Sequence, residues 1–378
     1  MSSIPRFHPS HMPTATATPA RIHLLAAQAD ALAPWIGKFT TAELDAWLHD
    51  QLGAANALDA WITRGGILSR AVPLTPVLHI ISGNTPHAGF QSLFRGLLLG
   101  GAQRVKLPAN GLPELENWIS NLPPPLAGLI ETSHTLPQAW RDSPAAVIFG
   151  DAETIAFFRQ WCSPDTRRIE HGPKLSAAIL FTEPDESTLA SLAGDILRED
   201  QRGCLSVQNI LADAATIGVR QLAQRLADAL AHARLAFPRP EPTLSDSGRI
   251  RNFREILRYR SANGEPITLI ESPGNTTWTV VLDATPGAPL LTPTPGGGTV
   301  IIRPIAPAQL TPAALGPDAA FLSTIVAHPF EDPATTAKLD ALSPPRICAP
   351  GMAQFPTLFW SHDGTRPLAD LVRWRDIG

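Results

Sequence analysis

Residues 76–107, PVLHIISGNTPHAGFQSLFRGLLLGGAQRVKL, decide the fold. The run VLHIIS is short, apolar and β-branched, which suits a buried strand. It breaks at the turn Gly83-Asn84-Thr85-Pro86, and a helix follows with Phe90, Leu93, Phe94 and Leu97 on one face. Gly100-Gly101 closes that helix, and QRVKL reads as a second strand. Strand, helix and strand within about 30 residues make a βαβ unit. The pattern recurs in AAVIF, a helix over 153–162 and TRRIE, so the first half reads as a parallel α/β layer.

Working outward, residues 20–61 read as helical, with Leu44, Trp47 and Leu48 at i, i+3, i+4 and Gly65-Gly66 as the stop. Downstream, SAAILF leads to a helix bearing Leu189, Leu192, Ala193, Ile196 and Leu197. Another cycle follows through VQNILA and a helix with Val219, Leu222, Leu226 and Leu230, giving a second α/β domain. The tail reads as an extended segment, FPTLFWSHDG, and a short helix, PLADLVRWRDIG. No repeat with a fixed period of about 20 to 50 residues is visible.

The chain has 378 residues, enough for two domains that each bury a core. Lys plus Arg number 30 and Asp plus Glu 34, a net charge of −4 that does not suggest binding to nucleic acid or an anionic membrane. Hydrophobic residues at 44% against 17% charged exclude a disordered chain. The longest uncharged apolar runs, such as 77–82 and 96–101, fall far short of the roughly 20 residues of a membrane span. The N-terminal residues 1–20 lack the apolar core of a secretory signal, and we expect a flexible arm and a cytoplasmic protein. With three cysteines, Cys162, Cys204 and Cys348, a disulfide framework is not expected.

No G-x-G-x-x-G opens a helix, so the ordinary dinucleotide fingerprint is absent. Asn84 lies in a turn at the carboxyl end of a strand, where ligands sit in open α/β sheets, and it reads equally as a plain turn residue. Cys204 sits in DQRGCLS, where Gly203 would allow an open backbone and neighbouring amides and Arg202 would stabilise a thiolate. Glu170 and His171 stand at the junction of the two halves, where a base for the thiol would be useful; the alternative is a solvated loop or a cap. The histidines and cysteines lack metal-ligand spacing, and no metal is expected.

ISGNTPHAG, LLLGGAQRVKLP, VIFGDAET, IEHGPK and DQRGCLS, in this order, resemble the aldehyde dehydrogenase superfamily. RICAPGMAQFP and FWSHDGTRPLADLVRW are more specifically similar to the LuxC-type acyl-CoA reductases. The resemblance implies two Rossmann-like parallel α/β domains with the active site in the cleft between them. Its expected limits are 1–20 arm, 21–172 nucleotide-binding domain, 173–345 catalytic thiol domain and 346–378 a C-terminal segment returning to the cleft or interface. It implies Cys204 as the nucleophile that carries the acyl group and Asn84 as an oxyanion donor. Glu170 falls at the superfamily's glutamate position, with His171 the competing base. Lys106 is similar to the lysine that contacts the adenosine ribose or its 2′-phosphate, Gly150 to the glycine beside the cofactor, and Ala109 to a position often acidic in NAD users.

Three departures stand out. TPTPGGG at 292–298 replaces a Glu-x-Phe-Gly-Pro segment, Asp151 stands where a small hydroxyl residue is common, and residues 66–77 are short for the oligomerisation hairpin of larger relatives. The implied activity is reduction of an acyl-CoA or acyl carrier protein to an aldehyde with NADPH, NADH being the other nicotinamide considered. The partners considered are a second copy of the chain or a synthetase subunit. The competing readings are an aldehyde dehydrogenase running oxidatively, with Glu170 activating water, and a non-catalytic scaffold of the same fold.

Overall fold

The computed structural model describes residues 16–239 and 241–378. The expected arm lies outside the described residues except for 16–20, where a helix already begins at Thr18. The chain divides into two compact units: Met1–Gly172 with Thr357–Trp360 and Thr365–Gly378, and Pro173–Pro356 with Ser361–Gly364.

In the first unit the helical stretch expected over 20–61 is three helices, α1 (Thr18–Ala26), α2 (Ala29–Ile36) and α3 (Thr41–Leu52). Local caps cut it: Gly37 follows α2, the Thr40 hydroxyl and Glu43 form a capping box at the start of α3, and Gly53 closes α3 at φ 82°. Gly65-Gly66 does not end a helix. It turns a hairpin between β1 (Ile62–Arg64) and β2 (Ile67–Pro73), with φ of 58° and 86° suiting a tight two-residue turn.

The parallel layer is a five-stranded sheet of β3 (Val77–Ile80), β4 (Gln103–Lys106), β5 (Ile130–Ser133), β6 (Ala145–Phe149) and β7 (Arg167–His171). Its order is β5-β4-β3-β6-β7, so the chain builds to one side of β3 and then crosses to the other, leaving a switch point between β3 and β6. Connecting helices are α4 (Pro86–Leu99), α5 (Pro113–Ser120), α6 (Pro124–Ala127) and α7 (Ala152–Trp161). The face of α4 read from its periodicity, Phe90, Leu93, Phe94 and Leu97, is buried in the core.

The second unit is a seven-stranded sheet. It contains β8 (Leu175–Leu180), β9 (Val207–Asp213), β10 (Ile267–Glu271), β11 (Thr279–Asp283), β12 (Thr299–Ile305), β13 (Leu322–His328) and β14 (Arg346–Cys348). The order is β10-β11-β12-β9-β8-β13-β14, parallel except where β10 pairs with β11. Helices α8 (Glu186–Leu197) and α9 (Val219–Ala233) bury the predicted apolar residues, except that Val219 at the start of α9 is only partly buried. The 19-residue α10 (Leu244–Ala262) had no sequence signal, because only Ile250, Arg254 and Leu257 are buried along it.

The last strand, β15 (Val372–Ile377), belongs to the first unit and pairs antiparallel with β2. The helix expected at the end of the tail is thereby corrected: only Ala369–Leu371 forms a helical turn, and the exposed edge of β2 draws the rest into a strand. Among the described residues no helix is long and apolar enough to cross a membrane.

Candidate active site

Helix α8 ends at Leu197, and residues 199–201 turn the chain through the left-handed region before Cys204 and β9. Glu199, Asp200 and Gln201 have φ of 53°, 50° and 62°, a conformation that costs non-glycine residues energy. Gly203 is not among the positive-φ residues, and a Cβ there would make only ordinary contacts at 3.6 Å, so the glycine expected to open the turn is not its hinge. The Ser176 hydroxyl donates to the Cys204 carbonyl at 2.8 Å, and the Ser206 amide donates to the Gly203 carbonyl at 3.1 Å. Gln354, from the 346–356 motif, donates its amide to the Ser206 hydroxyl at 2.9 Å.

Cys204 keeps partial exposure, whereas Cys162 and Cys348 are buried. Burial of its surroundings pushes the Cys204 thiol up to about 12, and the nearby Asp363 carboxylate adds to the rise. Its own amide, that of Leu205 and Lys174 oppose this, and Lys174 lies 3.9 Å from Asp363. The expected thiolate stabilised by Arg202 is therefore corrected. Arg202 is exposed, and the cation acting on the thiol is Lys174. Asp363 was missed because it reaches this place from the far end of the chain, and no local pattern marks it.

Glu170 and His171 are consecutive on β7, so they face opposite sides of the sheet. Arg159 of α7 grips both Glu170 oxygens, with contacts of 2.6, 2.9 and 3.0 Å, and Arg168 lies 4.0 Å away. His171 is buried and stacks on Phe149 at 4.6 Å between ring centroids.

The other predicted residues lie in the first unit around the switch point. Asn84 is exposed in the loop after β3, and Lys106 ends β4 with its ammonium donating to the Leu107 carbonyl at 2.9 Å. Ala109 is exposed in the following turn. Gly150 follows β6 at a point where a Cβ would sit 2.5 Å from the Thr154 side chain, so only glycine lets the loop close onto α7. Asp151 caps α7, its carboxylate accepting from the Thr154 amide at 2.8 Å, a bond that lowers its pKa. The charge that would oppose a diphosphate is committed to its own helix. Lys106 and Ala109 stand at and beyond the carboxyl end of β4, next to the switch point, the side on which open α/β sheets hold ligands.

The family model described as "Acyl-CoA reductase (LuxC)" matches residues 20–374. The long-chain acyl-protein thioester reductase of Aliivibrio fischeri is 26% identical over 193 residues, 46% of this chain. The match spans 40% of that relative's length. An aldehyde dehydrogenase of Mycobacterium tuberculosis, solved with NAD+, superposes with a TM-score of 0.67 at 13% identity over 96% of this chain and 85% of its own. A succinic semialdehyde dehydrogenase of Streptococcus pyogenes, solved with NADP+, gives 0.66 at 11% identity over 96% and 89%. At these identities the structures establish the fold, which is aldehyde dehydrogenase-like. The match across nearly the whole sequence settles the family: this chain belongs to the LuxC acyl-CoA reductases.

Proposed function

We propose that this chain reduces a fatty acyl thioester to the aldehyde through a thioester on Cys204, with NADPH as hydride donor. The carrying observation is a partly exposed cysteine on a fixed turn, in a chain of this family whose other two cysteines are buried. The Cys204 sulfur attacks the acyl carbonyl, the thiol proton passes to a base, and the carrier leaves as a thiol after taking up a proton. A nicotinamide dinucleotide, when bound, would supply the hydride for the acyl carbonyl, and the Cys204 sulfur leaves as the aldehyde forms. Asn84 donates its amide to the oxyanion in this reading.

A thiol held up at about 12 is protonated near neutrality, so the base is essential. His171 is the better candidate, because both Glu170 oxygens are occupied by Arg159. That ion pair also weighs against the oxidative alternative, in which Glu170 would activate water. Relatives are named for acyl-protein and the family for acyl-CoA, so the acyl group arrives on a carrier protein or on CoA.

The test is intact-protein mass after mixing with acyl-CoAs and acyl carrier protein in the absence of cofactor. Cys204→Ser should form no adduct, while Cys162→Ser and Cys348→Ser should form it as the wild type does. His171→Ala should slow acylation by about 10² or more, and Glu170→Gln by less than about tenfold. Adduct formation at the wild-type level in Cys204→Ser overturns the reading.

A further inference from the structure

Three consecutive non-glycine residues in the left-handed region are strained and persist only where the surroundings over-determine them. Here the surroundings are a buried ionic clamp. The Asp200 carboxylate accepts from Arg234 Nη2 and from Arg239 Nε, both at 3.0 Å, with all three side chains less than a tenth exposed. Each guanidinium is itself anchored to backbone: Arg234 donates to the Thr277 carbonyl at 2.8 Å, and Arg239 to the Thr276 carbonyl at 2.5 Å.

The adjacent Gln201 is bound at both ends of its amide. It donates to the Val207 carbonyl at 2.7 Å and the Thr299 carbonyl at 2.9 Å, and accepts from the Thr299 amide at 2.9 Å. The turn is thus tied to the first residues of β9 and β12. The TPTPGGG departure has its place here. A Cβ on Gly297 would stand 2.6 Å from Ile250 Cδ1 and 2.9 Å from Arg239 Nη2, and one on Gly298 2.7 Å from Leu197 Cδ2 and 2.9 Å from Arg234 Nη2, so these glycines leave room for the two guanidinium groups and the apolar side chains packed beside them.

From this geometry we propose that Asp200 and Gln201 are positioning residues for Cys204: the Arg234–Asp200–Arg239 clamp holds the strained 199–201 turn and so fixes where the thiol stands. The inference takes from the function reading only that Cys204 is the nucleophile. Only Arg202 and Gly203 separate Gln201 from Cys204, so a turn that relaxes toward ordinary backbone angles redirects the segment that carries the sulfur. Relaxation also lets water reach the thiol, which brings it back toward the ordinary range.

The rate of iodoacetamide alkylation of Cys204, followed by peptide mass from about pH 6 to about pH 11, reads this directly and needs no substrate, because below the midpoint each unit by which the midpoint falls raises the rate about tenfold at a given pH. Asp200→Asn keeps the size and an acceptor but removes the charge. Its alkylation midpoint is expected to fall by about one pH unit or more, while its acylation by tetradecanoyl-CoA falls about tenfold or more. Adding Glu199→Gly, which favours the left-handed turn without strain, should move the midpoint back toward wild type. If Asp200→Asn fails to fold, Arg239→Gln retains the Arg234 contact and is read in the same way. A folded variant with the wild-type midpoint overturns the proposal, as does a shifted midpoint that Glu199→Gly leaves where it was. A wild-type chain that is alkylated at Cys204 but accepts no acyl group overturns the function reading instead, and the alkylation comparison still decides the role of the clamp.

Discussion

Ala109 follows Lys106 by three residues and carries no charge into the turn after β4. In the proposed reading this pair selects the cofactor: a carboxylate at 109 would accept the ribose hydroxyls of NADH, and would repel a 2′-phosphate bearing close to two charges. At an exposed site each charge contributes about 1 kcal/mol, so Ala109→Glu should lower kcat/KM for NADPH by about tenfold or more and favour NADH. Lys106→Ala should weaken NADPH more than NADH, since the ammonium acts as a point charge toward phosphate. Steady-state kinetics with both cofactors checks this, and a wild type that uses NADH as well or better removes the argument. The residue scale is also where sequence reading erred about the thiol. Arg202 is two residues from Cys204 in sequence, yet burial, Asp363 and Lys174 set the thiol's proton affinity.

At the scale of elements, β3 and α4 enclose a histidine that the apolar pattern concealed. His79 is fully buried, with Nδ1 2.6 Å from the Ser92 hydroxyl and Nε2 2.7 Å from Gln103 Oε1. The Gln103 amide nitrogen donates to the Gly101 carbonyl, so its oxygen faces the ring, and the proton belongs on Nε2. Burial lowers the His79 pKa to about 4, so the folded chain holds it neutral while the unfolded chain binds a proton below about pH 6.5. Stability therefore falls as pH drops from about 6.5 toward 4, by about 2 kcal/mol between pH 7 and pH 5. His79→Gln has no proton to gain in the unfolded state, so its Tm relative to wild type should be higher at pH 5 than at pH 7. Thermal melts at the two pH values check it, and an equal difference at both counts against a neutral buried ring.

At the scale of the whole molecule, one buried group in each unit answers acid, and the two answer in opposite directions. In the second unit the Asp195 carboxylate is buried, accepting from the Gly351 amide at 2.6 Å and the Ala353 amide at 3.0 Å, and burial raises its pKa to about 6. Folded chain binds this proton more readily than unfolded chain, so the cost of the buried charge is relieved as pH falls through about 6, by about 1 kcal/mol between pH 7 and pH 5. Asp195→Asn relative to wild type should accordingly gain Tm more at pH 7 than at pH 5, the reverse of His79→Gln. The same sign in both variants would remove this account. The helix and strand periodicities of both α/β layers are legible in the amino-acid order, because alternation and i, i+3, i+4 spacing follow from backbone geometry within a few residues. The thiol and the switch-point loops were legible for the same reason, as glycine, asparagine and cysteine standing next to strand ends. Tertiary structure alone decided the pairing of β15 with β2, the occupation of Glu170 by Arg159, and the gathering of Asp200, Arg234 and Arg239 under the Cys204 turn. Each joins side chains or strand edges from separate segments, and a buried charge or an unpaired edge finds its partner by proximity after folding, which no local pattern encodes.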